Sequence, residues 1–242
     1  MTDISPLIYK LNCNDSDDAI VFVSGLGLDI AAQREVFVRR FARRHGASYM
    51  ALDCNKRISD GTPFVSCEQE AVQAIKTHFS KKNLFLTGAC FGANVAMRLA
   101  NHFPGQTKAV VVVSPAINYS EPSIAQGILQ SIERKKRTCQ KINFTKQLQQ
   151  ILIFEQLVKR MLPYADIQKQ EYQGKIIILH PQKDNFIPLN NSEKMLQALN
   201  RDNVSLQVLS NETHTLRNDN RLLLPILALR EVLQKHRENI KC

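Results

Sequence analysis

Several features that would assign this chain to a class directly are missing from it. No apolar run reaches the roughly 18–20 residues needed to cross a bilayer. The opening Met1-Thr2-Asp3-Ile4-Ser5-Pro6 has no basic segment leading into a long apolar stretch, so no secretory signal is expected. Asp3, Asp15, Asp17 and Asp18 argue against an Arg-rich, acid-poor transit peptide. The six cysteines (Cys13, Cys54, Cys67, Cys90, Cys139 and Cys242) show no C-x-x-C spacing and no adjoining histidine cluster. Neither a disulfide framework nor a zinc motif follows, and the expectation is reduced thiols in the cytoplasm with no metal or cofactor. No nucleic-acid-binding motif accompanies the net charge of +10, so nucleic acid is not an expected partner. That charge suits either a solvated basic surface or attraction to an acidic partner.

What is present points to an α/β protein. At 242 residues and 44% hydrophobic content, the chain fits one large domain spanning 1–242. Short apolar runs at 19–23, 48–52, 84–86, 109–113, 175–179 and 205–209 alternate with helical patterns at 31–45, 68–79, 94–102, 192–198 and 222–234. Residues 7–11 add a candidate edge strand. Runs such as Val110-Val111-Val112-Val113 are continuously apolar, as strands covered on both faces require. The pattern breaks between Val113 and Lys175, where helical segments at 122–134 and 145–162 replace any strand. This insertion, 118–172, reads as a lid over the ligand-binding edge of the sheet or as a purely structural addition. Its apolar positions include Phe154, Leu157 and Met161, candidate contacts for a substrate chain.

The most informative stretch runs from a short strand through Gly88-Ala89-Cys90-Phe91-Gly92 into an amphipathic helix. A strand, a tight turn and a helix around G-x-C-x-G form the setting of a nucleophile elbow. Small flanking residues are needed because the turn brings strand and helix backbones close together. The thiol of Cys90 then sits at a helix N-terminus, which favours the thiolate, and the Phe91 amide becomes an oxyanion donor. An acid and then a histidine should follow. Asp184 lies just past a buried strand, and His214 just past the last one. His180 ends a strand and reads as structural, while His45, His78, His102 and His236 fall at helix ends or on polar faces. Ser24-Gly25-Leu26-Gly27, after an early strand, offers a second oxyanion donor at the Leu26 amide, or else a plain tight turn. It lacks the third glycine and ribose-binding acid of a dinucleotide site.

In this order the segments resemble the α/β-hydrolase superfamily over nearly the whole chain. The oxyanion turn corresponds to Ser24-Gly25-Leu26, with Ser in place of the usual His. The acid loop H-G-x-x-D-x-x-V-P corresponds to residues 180–188, with Pro181 in place of Gly. The layout is similar to compact acyl-protein thioesterases and esterases with a helical lid. Dienelactone hydrolases and polyhydroxyalkanoate synthases share the Cys elbow; the former lack such an insertion and the latter are much longer. The resemblance implies an α/β-hydrolase fold and a Cys90-His214-Asp184 triad acting through an acyl-enzyme.

Three functions follow for comparison. The first is hydrolysis of carboxylic esters or thioesters, the acyl chain being carried on coenzyme A, an acyl carrier protein, another protein or a small alcohol. The second is acyl transfer or cyclisation by the same cysteine. The third is a non-catalytic binding protein of hydrolase fold. Arg134-Lys135-Lys136-Arg137, with Lys141 and Lys146, would suit an anionic carrier such as an acidic acyl carrier protein, and equally a solvated helix face.

Overall fold

The computed structural model describes residues 8–25, 28–53, 64–117, 122–141, 148, 152, 155–156, 159, 171–184, 186–214 and 224–241. Seven strands form one sheet: β1 (Ile8–Asn12), β2 (Asp18–Val23), β3 (Ser48–Leu52), β4 (Asn83–Ala89), β5 (Thr107–Val113), β6 (Lys175–Pro181) and β7 (Val204–Leu209). Their spatial order is β1-β3-β2-β4-β5-β6-β7, with β1 antiparallel to β3 and every other pairing parallel. Because β2, β4, β5 and β6 run side by side in one direction, their C-terminal ends share one edge.

Among the described residues, six continuous helices accompany the sheet: α1 (Leu28–Arg44), α2 (Phe64–Phe79), α3 (Phe91–His102), α4 (Pro122–Lys141), α5 (Leu189–Leu199) and α6 (Leu224–Lys241). Two apolar clusters form, one on each face of the sheet. One joins Val21, Leu86, Val110, Val112 and Ile178 to α2 and α3; the other joins Ile20, Phe85, Val111 and Ile177 to α1 and α6. Alternate residues of a continuous apolar strand therefore feed opposite layers, which explains why these strands do not alternate in polarity. Each fully buried Val or Ile contributes about 1.5–3 kcal/mol, and Val110, Val111 and Val112 are each 0% exposed.

Several elements outrun their apolar patterns. α4 continues from 134 to Lys141 through Arg134-Lys135-Lys136-Arg137, because straight-chain cations are good helix formers even where they carry no apolar stripe. β4 extends to Ala89 because Thr87, Gly88 and Ala89 still pair with Val111, Val112 and Val113. Of the segment expected to be helical over 145–162, only Leu148, Leu152, Glu155, Gln156 and Lys159 are described, and all five are helical.

Candidate active site

β4 delivers Cys90 to the C-terminal edge, and α3 begins at the next residue. Cys90 adopts φ 55° and ψ −123°, a region costing a non-glycine residue about 1–3 kcal/mol unless its surroundings enforce it. They do enforce it. Cys90 N–H donates to Val113 O at 2.9 Å, and its carbonyl accepts from Ala93 N at 3.1 Å and Ala116 N at 3.0 Å. The flanking glycines are needed for close approach. A Cβ on Gly88 would collide with the Gly92 backbone, and one on Gly92 with the carbonyls of Val23 and Ser24.

The segment after β5 that grips Cys90 is itself clamped by two buried amides. Asn94 of α3 donates to Ala116 O at 3.3 Å, and Asn191 of α5 donates to Pro115 O. Neither asparagine was singled out in the sequence. The available signal was an amide on an otherwise apolar helix face, which burial makes costly unless it is bonded.

Asp184 and His214 meet on two loops that follow β6 and β7. Those loops are tied together, since Gln182 N donates to Leu209 O at 3.0 Å and Lys183 N to Glu212 O at 2.8 Å. His214 Nδ1 donates to Asp184 Oδ2 at 2.7 Å, while Phe186 N and Ile187 N each donate to Asp184 Oδ1 at 2.8 Å. Cys90 lies close enough to His214 to contribute to raising its pKa. The structure thus brings Cys90, His214 and Asp184 together at one edge of the sheet.

Electrostatics follow from this geometry. Burial alone would lower the His214 midpoint, but the charge and hydrogen bond of Asp184, with a smaller contribution from Cys90, raise it to about 9. Burial would raise the Asp184 carboxyl. His214 and the Ile187 and Phe186 amides outweigh that and hold it below its ordinary range. His180 is fully buried at the end of β6; burial keeps it neutral, its pKa lowered despite the nearby Asp184.

Phe91 opens α3 beside the thiol and is 3% exposed. Leu26 lies outside the described residues, but Gly25 before it packs on the elbow: a Cβ there would meet Ala89 O and lie 3.3 Å from Cys90 Cβ. Phe154, Leu157 and Met161 also lie outside the described residues. The helix α4 reaches the site by another route. Lys135 Nζ sits 3.2 Å from the Phe186 ring centroid, and that ring lies 5.1 Å from His214. Among the described residues no group of three or more His, Cys, Asp or Glu is arranged to hold a metal, and no helix is long and apolar enough to cross a membrane.

Residues 68–218, more than half the chain, match the protein family described as BAAT / Acyl-CoA thioester hydrolase C terminal. The chain belongs to this family. It is a hydrolase of the esterase and thioesterase type, with an α/β-hydrolase fold. Mouse alpha/beta hydrolase domain-containing protein 10 superposes with a TM-score of 0.66 at 17% identity, covering 96% of each chain. A serine hydrolase from Cycloclasticus zankles gives 0.61 at 16% identity, covering 89% of each chain. Est1E from Butyrivibrio proteoclasticus gives 0.57 at 15% identity, covering 96% of this chain and 93% of that one. At such identities the likeness establishes the fold. No curated protein matches the chain by sequence.

Proposed function

We propose that this family member cleaves acyl thioesters, and activated esters more slowly, through a covalent acyl group on Cys90. The observation that carries this reading is a strained elbow cysteine beside a histidine whose Nδ1 is fixed by a buried carboxylate. The Cys90 Sγ proton resides on His214, whose raised midpoint keeps it imidazolium at neutral pH, and the thiolate adds to the acyl carbonyl carbon. The Phe91 amide, with Leu26 as its proposed partner, donates to the oxyanion, each such donor being worth about 2.7–4 kcal/mol. The tetrahedral adduct collapses, the bond to the leaving thiol breaks, and His214 returns the proton to that thiol. Water then gives a proton to His214, attacks the acyl carbon and releases the acid as the carbon–Sγ bond breaks.

A thioacyl intermediate is also open to an amine or alcohol, so acyl transfer is the second reading; the specific feature favouring it is cysteine, not serine, at the elbow. The region 118–172 acts as the lid in this scheme, with Phe154, Leu157 and Met161 proposed to line the acyl path. The Lys135 contact with Phe186 supports an approach of α4 to the acyl site. Exposed Arg134, Arg137 and Lys141 recur three and four apart on α4, as a stripe that would suit an acidic acyl carrier. Lys136 is engaged instead with Glu133 at 2.7 Å and Glu155 at 2.9 Å.

The test is a panel of acyl-CoA, acyl carrier protein, neutral short-chain thioester and p-nitrophenyl ester substrates, each with and without an amine. Wild type should release acid from at least one thioester, and mass spectrometry should find the acyl group on Cys90. Iodoacetamide should label Cys90 ahead of the other cysteines near neutral pH. A wild type no more active than Cys90→Ala across the panel would leave the non-catalytic binding protein as the better reading.

A further inference from the structure

His180 is 0% exposed and sits where β6 ends, opposite Val208 of β7. Each ring nitrogen has one partner: Nδ1 lies 2.7 Å from Ser192 Oγ, and Nε2 lies 3.0 Å from Ile187 O. A carbonyl oxygen can only accept, so Nε2 carries the proton; Nδ1 is then the acceptor, and the Ser192 hydroxyl donates to it. Ser192 is also 0% exposed and stands on α5, a rigid element. The Ile187 peptide that His180 holds by its carbonyl is the same residue whose N–H donates to Asp184 Oδ1 at 2.8 Å. His180 Nε2 is 3.9 Å from Asp184 Oδ2, beyond hydrogen-bond range, so Oδ2 is left to His214.

From this chain of contacts we propose that His180 is a positioning residue: as the neutral Nε2–H tautomer it anchors the Ile187 peptide, which fixes the Asp184 carboxylate in the orientation that orders His214. A hydrophobic residue of similar size would fill the same space but leave the Ile187 carbonyl unbonded and the carboxylate free to rotate. The groups facing His180 are consistent with a ring that stays uncharged. Burial lowers its pKa and His214 adds to that, against opposing contributions from Asp184, the Ile187 carbonyl and Glu193.

The inference rests on reading Asp184 and His214 as the acid and base of the site, and its test separates the two ideas. In His180→Gln the terminal amide reaches the place of Nε2 and can still donate to Ile187 O. In His180→Asn the shorter amide reaches only the place of Nδ1. With a short-chain thioester, kcat of His180→Asn should fall about 10- to 100-fold with KM nearly unchanged, the scale expected of a misplaced catalytic group. His180→Gln should recover most of that loss. The His214 midpoint, followed by imidazole NMR, should drop by about one unit in His180→Asn and stay near the wild-type value in His180→Gln.

A His180→Asn protein that melts earlier but keeps its kcat per folded molecule and its His214 midpoint would overturn the proposal, because that is the signature of a purely structural histidine. If wild type turns over no thioester, the functional reading fails, while the His214 titration of the two variants still decides this one. The wild-type protein supplies a check that does not depend on any variant folding. Long-range proton–nitrogen NMR should show His180 as the neutral Nε2–H tautomer at neutral and higher pH, and an Nδ1–H tautomer would overturn the assignment.

Discussion

The two ends of the sheet each pair an aspartate with a histidine, and with opposite consequences. At the C-terminal edge Asp184 gives Oδ2 to His214 at 2.7 Å, and the imidazole midpoint rises to about 9. At the other edge Asp18, the first residue of β2, is 3.9 Å from His236 of α6. There Arg237 has taken the carboxylate at 2.8 Å, with Asn83 donating to the other oxygen at 3.2 Å. His236 packs edge-on to Phe85, 5.6 Å between ring centroids, and its pKa is lowered: burial dominates, Lys108 and Arg237 add to it, and Asp18 only opposes. The same two residue types therefore do not make the same device. Which group holds the carboxylate, and at what distance, decides whether the histidine is a charged partner or a neutral packing group.

The strongest way to separate the two edges is activity. Cys90→Ala should remove thioester turnover, and Asp184→Asn or His214→Ala should lower kcat/KM on the order of 10³–10⁴-fold. Asp18→Asn should leave turnover per folded molecule within about twofold, since it removes a charge remote from the elbow. Equal losses at both edges would erase the distinction.

Titration gives the next largest contrast. Imidazole NMR should place the His214 midpoint near 9 and that of His236 below 6.5. Asp184→Asn should bring His214 down by two units or more, on the order seen when a buried ion pair is broken.

The sign for stability follows from these directions. A raised His214 midpoint gives stabilisation that is complete below about pH 6.5 and is lost as pH rises toward about 9. A lowered Asp184 midpoint gives stabilisation that is complete above about pH 3.9 and is lost as pH falls below it. Urea melts should therefore find the contribution of this pair largest between about pH 4 and pH 6.5, and Asp184→Asn should flatten that dependence.

The smallest effects lie at the other edge. Arg237→Met should raise the His236 midpoint by about one unit, because a competing cation is gone and Asp18 is freed. It should also cost about 1–3 kcal/mol, because Asp18, whose side chain is 7% exposed, loses its charged partner. An unchanged His236 midpoint would mean that burial alone sets it.

Much of this arrangement was legible in the residues themselves, unevenly and for physical reasons. The elbow is local: Gly88, Cys90 and Gly92 are contiguous with their strand and helix, so steric need can be read directly from the spacing. Asp184 and His214 are thirty residues apart, and only their places after successive strands point to a shared edge. Their contact depends on the parallel pairing of β6 with β7 and on the backbone ties between the loops. His180 was read as structural because a histidine at a strand end has no local signature. Its partners, Ser192 and Ile187, come from α5 and the acid loop. The Lys135 contact with Phe186 was equally invisible, since the basic run on α4 says nothing about which of its cations turns toward the sheet.

The strands, the elbow and the order of Cys90, Asp184 and His214 were determined by the sequence alone, because periodicity and turn chemistry are properties of neighbours along the chain. Only the tertiary structure decided which carboxylate belongs to which histidine. Asp18 and Asp184 look alike as letters, and the histidines beside them shift in opposite directions because burial, distance and a competing arginine are properties of neighbours in space.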